Sequence, residues 1–445
     1  MKKIIAPFFF LLMYNAAFSQ KIKGRVLDFE TKKPIEKAHI QIHKKIFFSD
    51  EKGRFSYTVP EKWDKKIKVT HVSYKPLEIK YEGKKKRIIY LKPKAELLDD
   101  VVVVGKLGNR KLKYLTLSEL PQKLYSFAST VFNNKIYVFG GDKSNEVDAL
   151  KKVTEERPEL SMIAALDLAR NYRPFYSFSN QLFTYDLNKK KWIKEDLTFR
   201  KKASHSAALV GDKIYLIGGK RLTKSKRQEY LDEKIEVFDP IKKTVEVDHT
   251  NPHQAVDLQT IVYKEKIYVF GGSIKKKDNG KKYYSEKIHS YNPKTGKWFL
   301  LAEIPFSEET VSCLVDDKIY FFDGFDNNKN INTITSLSLT TGKLKPLGRI
   351  FYNFEQPAIT KDKKTIFIFE NGKLLTINTQ TKEIKEYSID LFLYASKIYI
   401  VDDFLYILGG YTRDDFEIFP QKRFFKVDLN SLSKTRAKKY IKLKT

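Results

Sequence analysis

One seven-residue phrase constrains this chain more than any other feature. Lys135-Ile136-Tyr137-Val138-Phe139-Gly140-Gly141 returns as Lys213-Ile214-Tyr215-Leu216-Ile217-Gly218-Gly219 and as Lys266-Ile267-Tyr268-Val269-Phe270-Gly271-Gly272. Weaker copies follow at Lys318–Gly324, Thr365–Phe369 and Phe404–Gly410. The step from Gly219 to Gly272 is 53 residues, and from Gly272 to Gly324 it is 52. A fixed period of that size marks a repeat architecture. The run Ile-Tyr-Val-Phe has no polar alternation, so a strand made of it must be covered on both faces. A sheet standing between two like sheets meets that demand, and radial repetition then protects the edges.

Each copy lies in a longer pattern. A half-apolar run precedes it, as in Ser206-Ala207-Ala208-Leu209-Val210, and two residues join the pair: Asn133-Asn134, Gly211-Asp212, Lys264-Glu265, Asp316-Asp317, Asp402-Asp403. Two such residues between β-prone runs read as a tight hairpin. After the glycines comes a variable loop. Then come Phe183-Thr184-Tyr185-Asp186, Val237-Phe238-Asp239-Pro240, Ser290-Tyr291-Asn292-Pro293 or Lys426-Val427-Asp428, with Trp192, Val245 and Trp298 behind the first three. The di-glycine, Tyr-Asp and Trp at these offsets resemble the kelch repeat over roughly 120–445. The fifth copy departs from the pattern, with Glu370-Asn371-Gly372 in place of the glycine pair. The expected fold is all-β: a small seven-stranded β-sandwich followed by a six-bladed kelch β-propeller occupying 114–445. Between Gly141 and Gln181 an insertion, 143–180, carries Ser161–Arg170, a stretch of helical composition that predicts a flap. Either Lys438–Leu443 or Tyr114–Leu117 is expected to complete the last blade.

The N-terminus reads as a secretory signal over 1–19. Lys2 and Lys3 precede an apolar stretch, Phe8–Met13, too short to span a bilayer, and Ala17-Phe18-Ser19 fits a small-x-small cleavage site. No cysteine follows it, so no lipoprotein anchor is expected. The expectation is export, to the periplasm or to an outer-membrane-associated or extracellular location, with membrane association only through a partner. Cys313 is the single cysteine, so the chain holds no internal disulfide. It falls in a core-type strand.

Residues 20–93 form a separate unit of short strands with regular turns, which argues for a sandwich. Gly24-x-Val26, Pro34-Ile35-x-x-Ala38-x-Ile40, Ser49-Asp50-x-x-Gly53-x-Phe55 and Val72-Ser73-Tyr74 resemble the carboxypeptidase regulatory-like (transthyretin-like) domain of exported bacterial proteins. That resemblance implies an adaptor or spacer without catalytic residues. A linker, 94–113, holds Val101-Val102-Val103-Val104. It resembles the TonB box of outer-membrane transporters, where an extended peptide adds a strand to a partner's sheet. The chain is too short for such a transporter, so the run is a partner dock, a last strand or a linker.

The net charge is +30, from 84 Lys and Arg against 54 Asp and Glu. Either a lysine-rich composition or an anionic partner accounts for it. If the strands of a blade are a, b, c and d from the axis outward, the a–b turns are tight and the b–c loops long, so one face is elaborated. Two adjacent b–c loops are basic. One holds Lys220, Arg221, Lys224 and Arg227, and the other Lys275, Lys276, Lys277, Lys281 and Lys282 beside Tyr283 and Tyr284. Ammonium groups suit carboxylates or phosphates and tyrosine rings stack on sugars, so an anionic glycan or a cell-envelope protein is the expected partner. Export argues against nucleic acid. Copper chemistry of the galactose oxidase type needs a Cys–Tyr cofactor and paired histidines, and Cys313 inside a strand does not fit it. No cofactor and no metal are expected. His249 and His253 flank Asn251-Pro252 near Asp248 and Asp257 without a recognisable ligand spacing, and His205 reads as a packing or hydrogen-bonding residue. The competing reading is a sugar epimerase or mutarotase in the channel, with Arg200, Arg349 and Glu355 at its mouth.

Overall fold

The structure, a computed structural model, describes residues 20–29, 31–43, 45–60, 63–71, 74–83, 86–92, 109–172, 176–225, 228–248, 250–276, 282–303, 311–325 and 330–443. Residues 1–19, read above as a signal, and the Val101–Val104 run lie outside these. The chain divides into two compact units, Met1–Leu98 and Asp99–Thr445.

In the first unit, Gln20–Asp28 lies between Arg54–Val59, antiparallel, and Lys86–Leu91, parallel. A second sheet orders Lys45–Phe48, His39–Ile42, Lys66–His71 and Tyr74–Lys80. Ile40 and Ile42, like Ile67 and Val69, alternate with exposed residues and point to one face, the arrangement of a half-buried strand. With Ile22, Val26, Phe55, Val59 and Ile89 they make the core of a seven-stranded sandwich.

The second unit has, among the described residues, six main antiparallel sheets, five of four strands and one of five, whose consecutive strands fall in 128–198, 206–248, 259–303, 311–349, 358–388 and 397–428. In each, strand b is the repeated phrase. Ile136, Tyr137, Val138 and Phe139 are all buried, as are Ile214–Ile217 and Phe367–Phe369. Their side chains pack against the sheets on either side. Phe139 meets Phe238 of the next blade with ring centroids 5.7 Å apart, and Phe270 meets Phe321 at 5.3 Å. The ring closes where Tyr185 of blade 1 meets Phe424 of blade 6 at 4.9 Å. Each fully buried Phe or Ile contributes roughly 1.5–3 kcal/mol. Cys313 is buried in the innermost strand of blade 4, where burial pushes its thiol up to about 12. It is a small core residue.

The fifth copy, without its glycine pair, still builds a blade. Thr365–Glu370 and Lys373–Asn378 are joined by a two-residue turn, Asn371-Gly372, so blade 5 simply lacks an elaborated b–c loop. Both candidate closing segments are used. Leu115–Thr116 is the outermost strand of blade 6, pairing with Phe425 and Lys426. Lys439–Lys442 instead extends blade 5 as a fifth strand on Glu383–Ser388. The end of the expected linker is therefore part of the propeller: Asn109 bridges Thr435, and Leu112 bridges Ile389 with its side chain buried.

The insertion in blade 1 contains two helices, α1 (Ala149–Glu156) and α2 (Met162–Ala169), capped by the side chains of Asp148 and Ser161. The sequence reading anticipated only the second. Three b–c loops also fold into hairpins of their own: Lys220–Leu222 with Glu229–Leu231, Ser273–Lys276 with Lys282–Tyr284, and Tyr411–Arg413 with Ile418–Pro420.

The glycine pairs exist for a steric reason. Gly219 has φ +88°, and a Cβ there would stand 2.5 Å from the Ala203 carbonyl oxygen, whereas Gly211, with φ +56°, has nothing within 4 Å. Asn133 occupies the equivalent of Gly211 in blade 1 with φ 46°. Gly219→Ala is expected to destabilise the propeller by about 2 kcal/mol or more, and Gly211→Asn by less than about 1. Urea unfolding of the two variants checks this, and equal losses would contradict it.

Candidate functional site

The glycine pairs also create the site. In four blades the residue after them turns inward and exchanges two backbone hydrogen bonds with the d–a loop. Asp142 pairs with Tyr125 (3.0 and 2.8 Å), Lys220 with Ala203 (3.0 and 2.9 Å), Ser273 with Val256 (both 2.9 Å) and Tyr411 with Tyr394 (both 2.9 Å). Asp142, Lys220, Ser273 and Tyr411 thereby reach one cavity of 660 Å³ on the elaborated face. That is within the usual size of a small-ligand site. Glu146 and Tyr176 of the insertion, Glu229 and Tyr230 of the first hairpin, Lys275 and Lys282 of the second, and Asp257 complete much of its wall.

The wall is mixed in charge rather than basic. Lys220 donates to Glu229 at 2.7 Å. Burial works against its charge, but the Glu229 carboxylate outweighs that and leaves its pKa raised. Burial pushes the Asp142 carboxyl up, against hydrogen bonds from Ser144 that favour its anion. Tyr125 sits beside it with its hydroxyl 3.4 Å from Glu146 Oε1, and burial followed by the charges of Asp142 and Glu146 drives its phenol pKa up. Asp142 and Tyr125 are thus two perturbed groups facing a cleft, a pattern frequent at functional sites.

Of the residues expected in a basic site, Lys220, Lys275 and Lys282 line this cavity. Arg221 turns to the Tyr230 ring, its guanidinium carbon 5.6 Å from the centroid, and Lys224 is exposed on the hairpin tip. Tyr283 is exposed, and Tyr284 is buried beneath its hairpin. Lys276 forms part of its strand, while Arg227, Lys277 and Lys281 lie outside the described residues.

The three mouth residues separate. Arg200 forks onto Asp232, with Nη2 2.6 Å from Oδ1. Lys202, whose side chain is 1% exposed, stands 3.1 Å from the same carboxylate and 3.0 Å from Glu236. This buried network fixes the approach to blade 2, so Arg200 is consumed by structure. Arg349 ends the outermost strand of blade 4, away from the axis. Glu355 does line the axial channel, and it is held by Arg413 through two bonds of 2.7 Å.

The histidines are structural. His253 Nε2–H donates to the Gly271 carbonyl at 2.9 Å, so its Nδ1 accepts from His289 Nδ1–H, also at 2.9 Å. Burial, then the neighbouring His289 and Lys287 charges, hold His253 at about 4 despite the Gly271 bond. His249 lies outside the described residues, and no group of His, Cys, Asp and Glu among the described residues is arranged to hold a metal. His205 is buried with neither ring nitrogen hydrogen-bonded, a packing residue.

Sequence reasoning missed Asp142, Ser273, Tyr411, Tyr125, Glu146, Glu229 and Asp257. The usable signal was the position after each glycine pair.

Two predictions follow from these burials. Lys202→Ala leaves Asp232 to Arg200 but takes the ion-pair partner from buried Glu236, and is expected to cost about 3 kcal/mol in urea unfolding; a loss below about 1 would show the network to be dispensable. His253 is neutral in the fold and charged in the unfolded chain below its ordinary value of 6.5. The unfolded state then binds more protons, so stability is full above about pH 6.5 and falls as pH drops towards about 4, by roughly 2–3 kcal/mol. Replacing His253 by Asn should flatten that slope, read by unfolding at stepped pH.

Comparison with known proteins agrees with this architecture. The KLHDC2/KLHL20/DRC7 Kelch-repeats domain matches residues 92–304 and 204–379. The CarboxypepD_reg-like domain matches residues 22–103. Among solved structures, that of YjhT is similar with a TM-score of 0.50 at 13% identity, over 68% of this chain and 96% of that one. At that identity the likeness is one of fold. The repeated phrase, the six blades and these matches together place the chain in the kelch-repeat family, with a carboxypeptidase regulatory-like domain at its N-terminus.

Proposed function

We propose that this is an exported, non-catalytic binding protein that holds an anionic glycan in the cavity of the elaborated face. The observation that supports this most is the convergence of Lys220, Lys275 and Lys282 with Tyr176, Tyr230 and Tyr411 on a single 660 Å³ space. Ammonium groups pair with sugar carboxylates or phosphates, and tyrosine rings cover sugar faces. Asp257, Glu146 and Glu229 add acceptors for hydroxyl groups, which a purely anionic polymer without hydroxyls would not use. An envelope protein bound through the same face is the other partner compatible with the surface. The leader-like 1–19 segment supports export, and among the described residues no helix is long and apolar enough to cross a membrane.

A second reading has one observation in its favour: Asp142, with its raised carboxyl pKa beside Tyr125, is a candidate acid–base group for sugar epimerisation or mutarotation. The two readings part experimentally. On a glycan array, Lys275→Glu with Lys282→Glu is expected to weaken binding of carboxylated or phosphorylated glycans at least tenfold and to leave neutral glycans unaffected. Unchanged binding would remove the cavity as the site. Turnover of a free sugar that disappears in Asp142→Asn, while binding persists, would favour the enzyme.

A further inference from the structure

In the N-terminal unit one strand is apolar on both faces but covered on only one. Lys86–Leu91 is an edge of the sheet that orders Arg54–Val59, Gln20–Asp28 and itself. Ile89 and Leu91 are buried in the sandwich core, whereas Ile88 and Tyr90 alternate with them on the outer face, 56% and 38% exposed. The solvent face of a sandwich sheet is ordinarily polar. Phe29, 44% exposed, joins the same patch, its ring edge-to-face with Tyr90 at 6.4 Å between centroids.

Cations surround the patch. Lys21, Lys23 and Arg25 are exposed and alternate with the buried Ile22 and Val26 along the central strand, so all three stand on the outer face. Arg25 is in register with Ile88 on one side and with Arg54 on the other. Lys32 Nζ lies 4.7 Å from the Phe29 ring centroid and 4.5 Å from that of Tyr90, and Lys92 Nζ lies 5.1 Å from Phe29. Among the described residues, the one ion pair that any of these cations makes is Arg54 with Asp50, at 3.1 Å. Like charges directly opposite across a sheet destabilise it, and Arg25 faces Arg54 in that way. The fold itself gains nothing from such a face.

The occupant must suit both parts of the patch. A second copy of this face would set cation against cation. A soluble polyanion would meet the cations and leave Ile88 in water. An anionic membrane surface takes both: headgroup phosphates meet the basic side chains, and aromatic and aliphatic side chains enter the interface. Lysine stems run along apolar surface while their heads stay in water, as Lys32 and Lys92 do beside these rings.

We infer that the outer face of this three-stranded sheet docks the chain on an anionic phospholipid surface. Ile88, Tyr90 and Phe29 enter the interface, and Lys21, Lys23, Arg25 and Lys92 meet the headgroup phosphates. The contact is peripheral. It is independent of the glycan cavity and, unlike the expectation from the sequence, it needs no partner protein.

The test is co-sedimentation with lipid vesicles of the chain from Gln20, which keeps every described residue and omits the apolar Phe8–Met13 stretch. The wild type is expected to bind mixed phosphatidylglycerol and phosphatidylcholine vesicles at least tenfold more tightly than phosphatidylcholine alone, and to be released as salt is raised. Each basic group at an anionic surface contributes about fivefold, so Lys21→Glu with Lys23→Glu should weaken binding at least tenfold. Ile88→Ser with Tyr90→Ser should weaken it at least threefold and leave retention on dextran sulfate beads unchanged. Binding that ignores lipid charge, or that either pair of substitutions leaves as in the wild type, would overturn the inference. So would a parallel loss on the beads, which would assign the face to a soluble polyanion, or a dimer in solution that the Ile88 and Tyr90 substitutions dissociate. Should either pair fail to fold by circular dichroism, the milder Lys21→Gln with Lys23→Gln and Ile88→Thr decide on the same criteria.

Discussion

The propeller depends on one constraint: strand b of each blade has no face that tolerates water. Ile136–Phe139 and Ile214–Ile217 are buried along their whole length, so no blade is stable without a neighbour on each side. The ring is the geometry that gives every such strand two neighbours. Around the axis a second set of contacts runs from blade to blade through the d–a loops. Ser204 N–H donates to the Ser126 carbonyl at 2.7 Å, Asp257 N–H to Ser204 at 3.0 Å, and Ala395 N–H to Gln356 at 3.0 Å. Apolar packing thus sets the blades side by side, and backbone bonds fix the loops that floor the site.

The glycine pairs serve both sets. They let strand b leave its sheet with a backbone that L side chains rarely adopt, and they leave room for the d–a loop to lie against it. The next residue then faces the axis whatever its chemistry. That is how Asp142, Lys220, Ser273 and Tyr411, four unlike residues, come to equivalent places. A rigid repeat carries a variable lining, as expected where function sits on a scaffold rather than in it.

Much of this was legible in the sequence because it depends on periodicity. The six strand pairs, their tight a–b turns and the elaborated face all follow from where Ile-Tyr-Val-Phe and the glycines recur. Blade 5 was legible even without its glycines, since Thr365–Phe369 keeps the apolar run. The site was less legible because it depends on which charges pair. Arg200 looked like a mouth residue from its place between blades, but Asp232, distant in the sequence, draws it together with Lys202 into a buried network. The basic loops looked uniformly cationic, yet Glu229 from the far strand of its own hairpin and Asp257 from a d–a loop act on Lys220. Helix α1 was missed because its charged composition gives no apolar run to read, and the loop hairpins because three-residue strands leave no periodicity.

The way the ring is shut orders its assembly in time. Leu115–Thr116 is made early but pairs with Phe425 and Lys426, more than three hundred residues later in the chain. A ribosome emits those partners only after blades 1 to 5, so Leu115–Thr116 must wait for its strand partner through synthesis of nearly every blade. Lys439–Lys442 then leaves the exit tunnel after blade 6 and docks backwards onto blade 5. Lys439–Lys442 thus latches the penultimate blade while Leu115–Thr116 completes the last, and a nascent chain halted before residue 424 lacks both clasps.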